Sequence, residues 1–520
     1  MQSLPTVVER RMTPLSQETL MHPNKFMRLK IALILGAALL TLAACSKSGS
    51  APATASADAG KLPITTKSED AKTEFLQGRD LAEKLRAQES VAHFDKALAL
   101  DPDFASAEVA RANSAATAKD FFDHLNKAVA LSSKASEGER LFILANEAGA
   151  NGEVAKQKEY LDNLIALYAN DERARFALGN YYFAQQEYEQ AIAHYKRATE
   201  IAPTYSPAYN ILGYAYRQQG NYVAAEQAFK KYVELIPDDP NPYDSYAELL
   251  LKMGRFEDSI AQYRKALSKD PHFVPSRFGI SADLMYLGKP DAANAELQQM
   301  AEQARNDGEL RAAYFGMAVV AADRGQMDKA LQEIDRQYSV AEKKNDVAAM
   351  AADLQAKGNI LAETQHYDAA QQQFDRSLQL VEGSTLSQAI KDNARLQHHF
   401  NATAVAIGKK DLAAANDHAA QYRTGADASK NPGQVKLAHE LAGRIALAQK
   451  NYDEAIAELE QANEQDPRNL YRLSQAFKAK GNDDKAREYA KRAAEFNSLP
   501  QLNYAFIRAK AQKPVAARKS

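Results

Sequence analysis

The chain has 520 residues, a formal net charge of −2, charged residues at 25%, no tryptophan and a single cysteine. That balance gives no electrostatic basis for binding nucleic acid, which needs a basic face. One cysteine excludes a disulfide within the molecule. Few glycines and prolines for this length, with abundant Ala, Leu, Gln, Glu and Lys, favour a helical chain.

Residues 1–26 are polar, with Glu9, Arg10, Arg11 and Glu18, and do not open an export signal. They read as a non-native extension, with Met27 as the start. Arg28 and Lys30 then precede an apolar run from Ile31 to Leu42, of signal-peptide length and short for a bilayer span. The run ends in Leu42-Ala43-Ala44-Cys45, which resembles a bacterial lipobox. The resemblance implies a signal peptide over 27–44, cleavage before Cys45, and acylation of both its sulfur and its new amino terminus with palmitate-class chains. Several chains, at roughly 0.8 kcal/mol per buried CH₂, make a stable membrane anchor. Ser46 is not the Asp that retains such proteins at the inner membrane, so the outer membrane is expected. An ordinary signal peptide followed by an incidental cysteine is the plainer alternative. Residues 45–68 read as the lipidated cysteine and a flexible tether, rich in Ser, Ala, Gly, Pro and Thr. Its typical span is about 25 Å.

Three blocks recur at a spacing of 34 residues: Ala177-Leu178-Gly179-Asn180-Tyr181-Tyr182, Ile211-Leu212-Gly213-Tyr214-Ala215-Tyr216 and Ser245-Tyr246-Ala247-Glu248-Leu249-Leu250. Gly179 and Gly213 keep that spacing, as do Ala191 and Ala225, and Pro203, Pro237 and Pro271. Gly in mid-helix costs about 1 kcal/mol against Ala, so a second helix must pass close there. Ala191 and Ala225 are the small residues on that partner helix, with Tyr195 and Phe229 one turn on. Gly220 and Gly254 fall between the helices of a pair, and each proline follows a second helix it cannot continue. One such pair cannot bury its apolar face, so pairs stack.

This pattern resembles the tetratricopeptide repeat. The resemblance implies an all-α protein: a right-handed α-solenoid of about twelve helix hairpins behind a disordered N-terminal segment. Divergent repeats are expected over 69–170, with one pair broken at Gly149 and Gly152, and the strong repeats over 171–307. Over 308–498 units lie about 40 residues apart, marked by Gly325, Ala330, Phe374, Gly408, Ala413, Gly443 and Ala455. That spacing requires longer helices or longer turns. Residues 499–520 read as a capping helix and a basic tail. Arg508, Lys510, Lys513, Arg518 and Lys519 are expected to be solvated.

No phosphate-binding loop, His-Glu-x-x-His, CxxC pair or nucleophile elbow is present in the sequence. His398 and His399 are adjacent and point about 100° apart on a helix. A ligand set with His418 and His439 is therefore disfavoured, and no metal, cofactor or catalytic residue is expected. What remains is a surface. The resemblance implies that first helices line a concave groove, read by Arg173, Phe176, Asn180, Phe183, Asn210, Tyr214, Arg217, Asp244, Glu248 and Lys252. Their polar and aromatic mixture suits an extended peptide or a partner helix. Phe176, Asn241 and Ser245 stand where the two-carboxylate clamp of chaperone-binding members has basic residues, so a free C-terminal carboxylate is not indicated at these units. The expectation is a non-catalytic, lipid-anchored scaffold or adaptor at the outer membrane, its body periplasmic, with protein partners of the cell envelope and no nucleic acid. The alternative is an envelope enzyme, or a glycan- or peptidoglycan-binding protein, with its site in the divergent C-terminal repeats.

Overall fold

A computed structural model describes residues 60–516, apart from 116, 117, 152, 387 and 430. The extension, the lipobox with Cys45, the expected disorder of the N-terminal segment and most of the tether lie outside the described residues. Among those described there is no strand, and the regular elements are helices joined by short turns.

Two compact units divide after Pro237. The first holds five antiparallel pairs: α1 (Glu69–Glu83) with α2 (Ala87–Leu100), α3 (Ala105–Asn113) with α4 (Ala118–Leu131), and α5 (Glu137–Ala150) with α6 (Val154–Leu167). Next come α7 (Glu172–Ala184) with α8 (Tyr188–Ile201), and α9 (Ser206–Gln218) with α10 (Tyr222–Leu235). The second holds seven pairs, starting with α11 (Pro240–Lys252) and α12 (Phe256–Lys269), then α13 (Val274–Tyr286) and α14 (Pro290–Glu302). They continue with α15 (Asp307–Asp323) and α16 (Met327–Lys343), α17 (Val347–Glu363) and α18 (Tyr367–Glu382), α19 (Gln388–Gly408) and α20 (Leu412–Ser429). The last two are α21 (Pro432–Gln449) with α22 (Tyr452–Gln461), and α23 (Pro467–Ala479) with α24 (Asp483–Ala494). A final helix, α25, spans Leu502–Ala516. The helix-hairpin solenoid expected from the period is the fold of each unit.

The spacing of small residues has a direct packing cause. A Cβ on Gly179 would sit 2.5 Å from the Tyr195 ring, and one on Gly213 would sit 2.7 Å from Phe229. Those rings and the alanines Ala191 and Ala225 are fully buried. The glycine is thus a seat for an aromatic ring of the second helix, not only a point of backbone approach. Pro203, Pro237 and Pro271 each lie two residues beyond the end of a second helix. Gly220 and Gly254 turn between paired helices with φ near +75°, where side chains are strained. Gln186, Gln365, Lys410 and Lys450 adopt the same left-handed conformation at the corresponding turns, without the glycine that would mark them in sequence.

The wider spacing after residue 307 comes from longer helices. Helices α7 to α13 have 13 or 14 residues, whereas α15, α16 and α17 have 17 and α19 has 21. In the divergent repeats α5 is not broken at Gly149; it runs through to Ala150, started by a capping box of Ser136 and Glu139.

Candidate functional site: the first-helix faces and their resident segments

In the first unit, the stretch expected to end a flexible tether is held from Lys61 onward. Residues 61–67 run along the turns that join successive pairs, and each turn offers a carboxylate. The Leu62 N–H donates to Asp171 Oδ2 at 3.0 Å, the Thr65 N–H to Glu139 Oε1 at 2.9 Å, and the Lys67 N–H to Asp101 Oδ2 at 3.0 Å. The Thr65 and Thr66 hydroxyls donate to Glu139 and Asp101, each at 2.5 Å, and Lys61 pairs with Glu172. Asp171 does double duty, since its other oxygen caps α7 by accepting from Arg173 N and Ala174 N. Leu62 is fully buried, and only a glycine at position 138 leaves room for it beside Tyr168. Burial works against the Asp101 carboxylate, but the Thr66 hydroxyl and the amides of Lys67 and Asp103 outweigh it and hold its pKa below the usual range.

The second unit holds a helix instead. Helix α25 is not a cap on the last pair alone: it reaches back onto the first helices α15 and α17 as well as α23 and α24. Leu502, Ala505 and Phe506 share a buried core with Met317, Val320 and Ile360, while Ile507 and Ala511 pack with Leu473 and Phe477. The approach to α25 is fixed by polar contacts. The Tyr286 hydroxyl donates to Ser498 O at 2.8 Å, and Lys252 sits 3.7 Å over the Phe496 ring. Two of the basic residues expected to be solvated are engaged, while Arg518 and Lys519 lie outside the described residues. Arg508 reaches both oxygens of Asp323 at 3.1 Å and lies over the Tyr286 ring, and Lys510 pairs with Glu363. A narrow cleft remains beneath, lined in part by Met285, Asp323, Pro467, Tyr504 and Arg508.

Several of the ten groove residues expected from sequence have packing duties. Phe176 lies between Tyr195 and Tyr205, with ring centroids 5.7 and 5.6 Å away, so it is core. Asn180 accepts the Tyr195 hydroxyl at 2.8 Å, and Tyr214 packs edge-on against Phe229 at 5.1 Å. Phe183 is buried against Tyr188. Arg173 is spent on Glu83 at 2.8 Å and on Glu172, over the Tyr205 ring. Asp244 accepts the Ser276 hydroxyl at 2.9 Å, and Asn210 and Glu248 are buried. These contacts correct the expectation that all ten positions are given over to reading a ligand: an aromatic ring seated on glycine also touches the residue one position on. Arg217 and Lys252 keep partial exposure.

The four histidines take different partners. His398 Nε2 meets Asp375 at 2.8 Å, His399 Nδ1 lies 3.2 Å from His418 Nδ1, and His439 meets Glu458 at 2.7 Å. Among the described residues no group of three or more His, Cys, Asp or Glu side chains could hold a metal ion, and no helix is long and apolar enough to cross a membrane.

Stacked helix hairpins that seat other segments of the chain define a helical-repeat protein. Part of the stack is similar to tetratricopeptide repeats. Models described as TPR repeat and tetratricopeptide repeat match residues 179–220, 206–239, 241–273, 419–469 and 440–500. Superkiller complex protein 3 of Mus musculus is 30% identical over 111 residues, which are 21% of this chain and 7% of that protein. The Hsp70-Hsp90 organizing protein of Triticum aestivum is 27% identical over 169 residues, 32% of this chain and 28% of that one. The chain thus spans less than a third of the length of these relatives. A tetratricopeptide repeat protein from Parabacteroides merdae matches in structure at 14% identity over 55% of this chain and 99% of its own, with a TM-score of 0.33.

Proposed function

We propose that the protein is a non-catalytic scaffold that binds an extended peptide or a helix of a protein partner. One observation carries this reading: each unit seats a segment of its own chain, an irregular segment on the carboxylates of the first and a helix on the first helices of the second. The same chemistry would serve a segment from another protein. The wheat relative named for organizing Hsp70 and Hsp90 supports an assembly role. The Leu-Ala-Ala-Cys motif supports a lipid anchor at Cys45 and, with it, a body in the envelope at the outer membrane.

Two results test it. The full-length chain should retain an envelope protein at stoichiometric yield, and Arg217→Ala should weaken that retention without lowering the melting temperature; retention unchanged in the variant would count against the groove. Cys45→Ser should leave the precursor uncut and outside the outer-membrane fraction, and normal fractionation of that variant would refute the anchor.

A further inference from the structure

Each pair of the first unit ends its second helix on an aliphatic side chain. Leu100 closes α2, Leu131 closes α4, Leu167 closes α6, Ile201 closes α8 and Leu235 closes α10. Leu100 and Leu167 are 50% and 56% exposed, and the other three are half-buried. Two other exposed aliphatics, Val154 and Val223, stand in the first turns of α6 and α10, at the opposite rim.

The terminal leucines share their rim with residues 61–67. Lys61 pairs with Glu172 just past Leu167, while the Lys67 N–H donates to Asp101, the residue after Leu100. The charges on this rim suit a layer of lipid headgroups. Asp103 lies between two ammonium groups, Lys67 at 3.2 Å and Lys134 at 2.9 Å. Glu137 is paired with Arg140 at 2.7 Å, and Glu200 with Arg197 at 3.1 Å. Asp101, Glu139 and Asp171 are buried and taken by the 61–67 segment. These carboxylates are thus offset from within. Aliphatic tips set among cations bind an interface by apolar burial together with attraction to anionic lipid.

The chain itself decides which rim lies nearer a membrane. Residues 46–60 join Cys45 to Lys61, and their Ser-, Ala- and Gly-rich composition gives a typical reach of about 20 Å. A second helix of 14 residues sets the Val223 rim about 20 Å further away.

We infer that the rim carrying Leu100, Leu131, Leu167, Ile201 and Leu235 is a membrane-docking surface, with Lys67 and Lys134 against lipid phosphates. The inference rests on the anchor at Cys45 and adds an orientation to it: the first unit lies on the bilayer by this rim instead of swinging on its tether. The test uses the processed, acylated protein in vesicles of phosphatidylethanolamine and phosphatidylglycerol, with nitroxide on some of the lipid chains. Acylation blocks the Cys45 sulfur, so a thiol-reactive fluorophore goes only to an introduced cysteine. Leu100→Cys, Leu167→Cys, Val154→Cys and Val223→Cys each replace an exposed side chain. The lipid nitroxide should quench the label at both leucine positions and at neither valine position. Equal quenching at all four, quenching at the valine positions alone, or none anywhere overturns the inference. So does shielding of the leucine positions from aqueous iodide without quenching by lipid, which would mark a protein on the rim. Mass spectrometry of the Cys45 peptide separates the two readings. With acyl chains present, any of those results removes the docking surface and leaves the anchor; without them, both fall.

Discussion

Asp283→Asn raises the melting temperature at pH 8 and leaves it almost unchanged at pH 4. Asp283 is fully buried in α13, and among the described residues neither of its oxygens has a hydrogen-bond donor. Burial pushes its carboxyl up to about 8; the nearby Ser259 hydroxyl opposes this weakly, being given to Ala247 O. In the unfolded chain the same group ionises near pH 4. Between these values the unfolded state releases a proton that the folded state keeps, so stability is fully present below about pH 4 and is lost as pH rises towards 8. The ceiling on that loss is about 4 kcal/mol at pH 7, from about 1.4 kcal/mol per pH unit. Asparagine keeps the shape and removes the ionisation. Asp353, raised to about 6 by burial against the pull of Arg311, changes in the same sense in both proteins, so their difference isolates Asp283. Thermal melts of the two proteins from pH 4 to pH 8 check it; parallel curves would mean that Asp283 finds a partner or a water.

Phe506→Ala should release α25 from the second unit while its hairpins stay folded. The ring is 7% exposed in the core shared with Met317 and Val320, and truncating a buried Phe costs about 3–5 kcal/mol. That exceeds what the partly exposed pairs Arg508–Asp323 and Lys510–Glu363 supply, since such pairs are worth about 0–1 kcal/mol each. Amide hydrogen exchange should therefore accelerate over 502–512, with Tyr263, Phe374 and their hairpins still protected. Uniform acceleration across the unit would mean that α25 is needed for the stack itself.

The repeat was legible because its causes are local. A ring on a glycine, a small residue opposite and a proline after the second helix each leave a fixed mark, and Gly179 with Tyr195, Ala191 and Pro203 carry all three. The hairpins that turn through Gln186, Lys410 or Lys450 were located only by their helices, because a left-handed residue other than glycine leaves no signature. The groove was read less well. Helical spacing places Phe176 and Asn180 on one face, but it does not say that Tyr195 reaches across to both. The resident segment at 61–67 was hidden for another reason. The seats at Asp101, Glu139 and Asp171 are set by contacts between residues 34 to 109 positions apart, and no periodicity encodes them. Even so, a carboxylate at the start of a first helix reads as a cap, and Asp171 shows that a cap can also hold a peptide.

The most direct measurement is site-specific photo-crosslinking of the full-length protein in envelope extract. A crosslinker should be placed in turn at Arg217 and Lys252 on first helices, and at the exposed Lys196 and Lys265 on second helices. If the first-helix faces recognise a partner, one protein is captured from Arg217 or Lys252 and lost from Lys196 and Lys265. Capture from the second-helix positions alone, or equal capture from all four, would contradict the account.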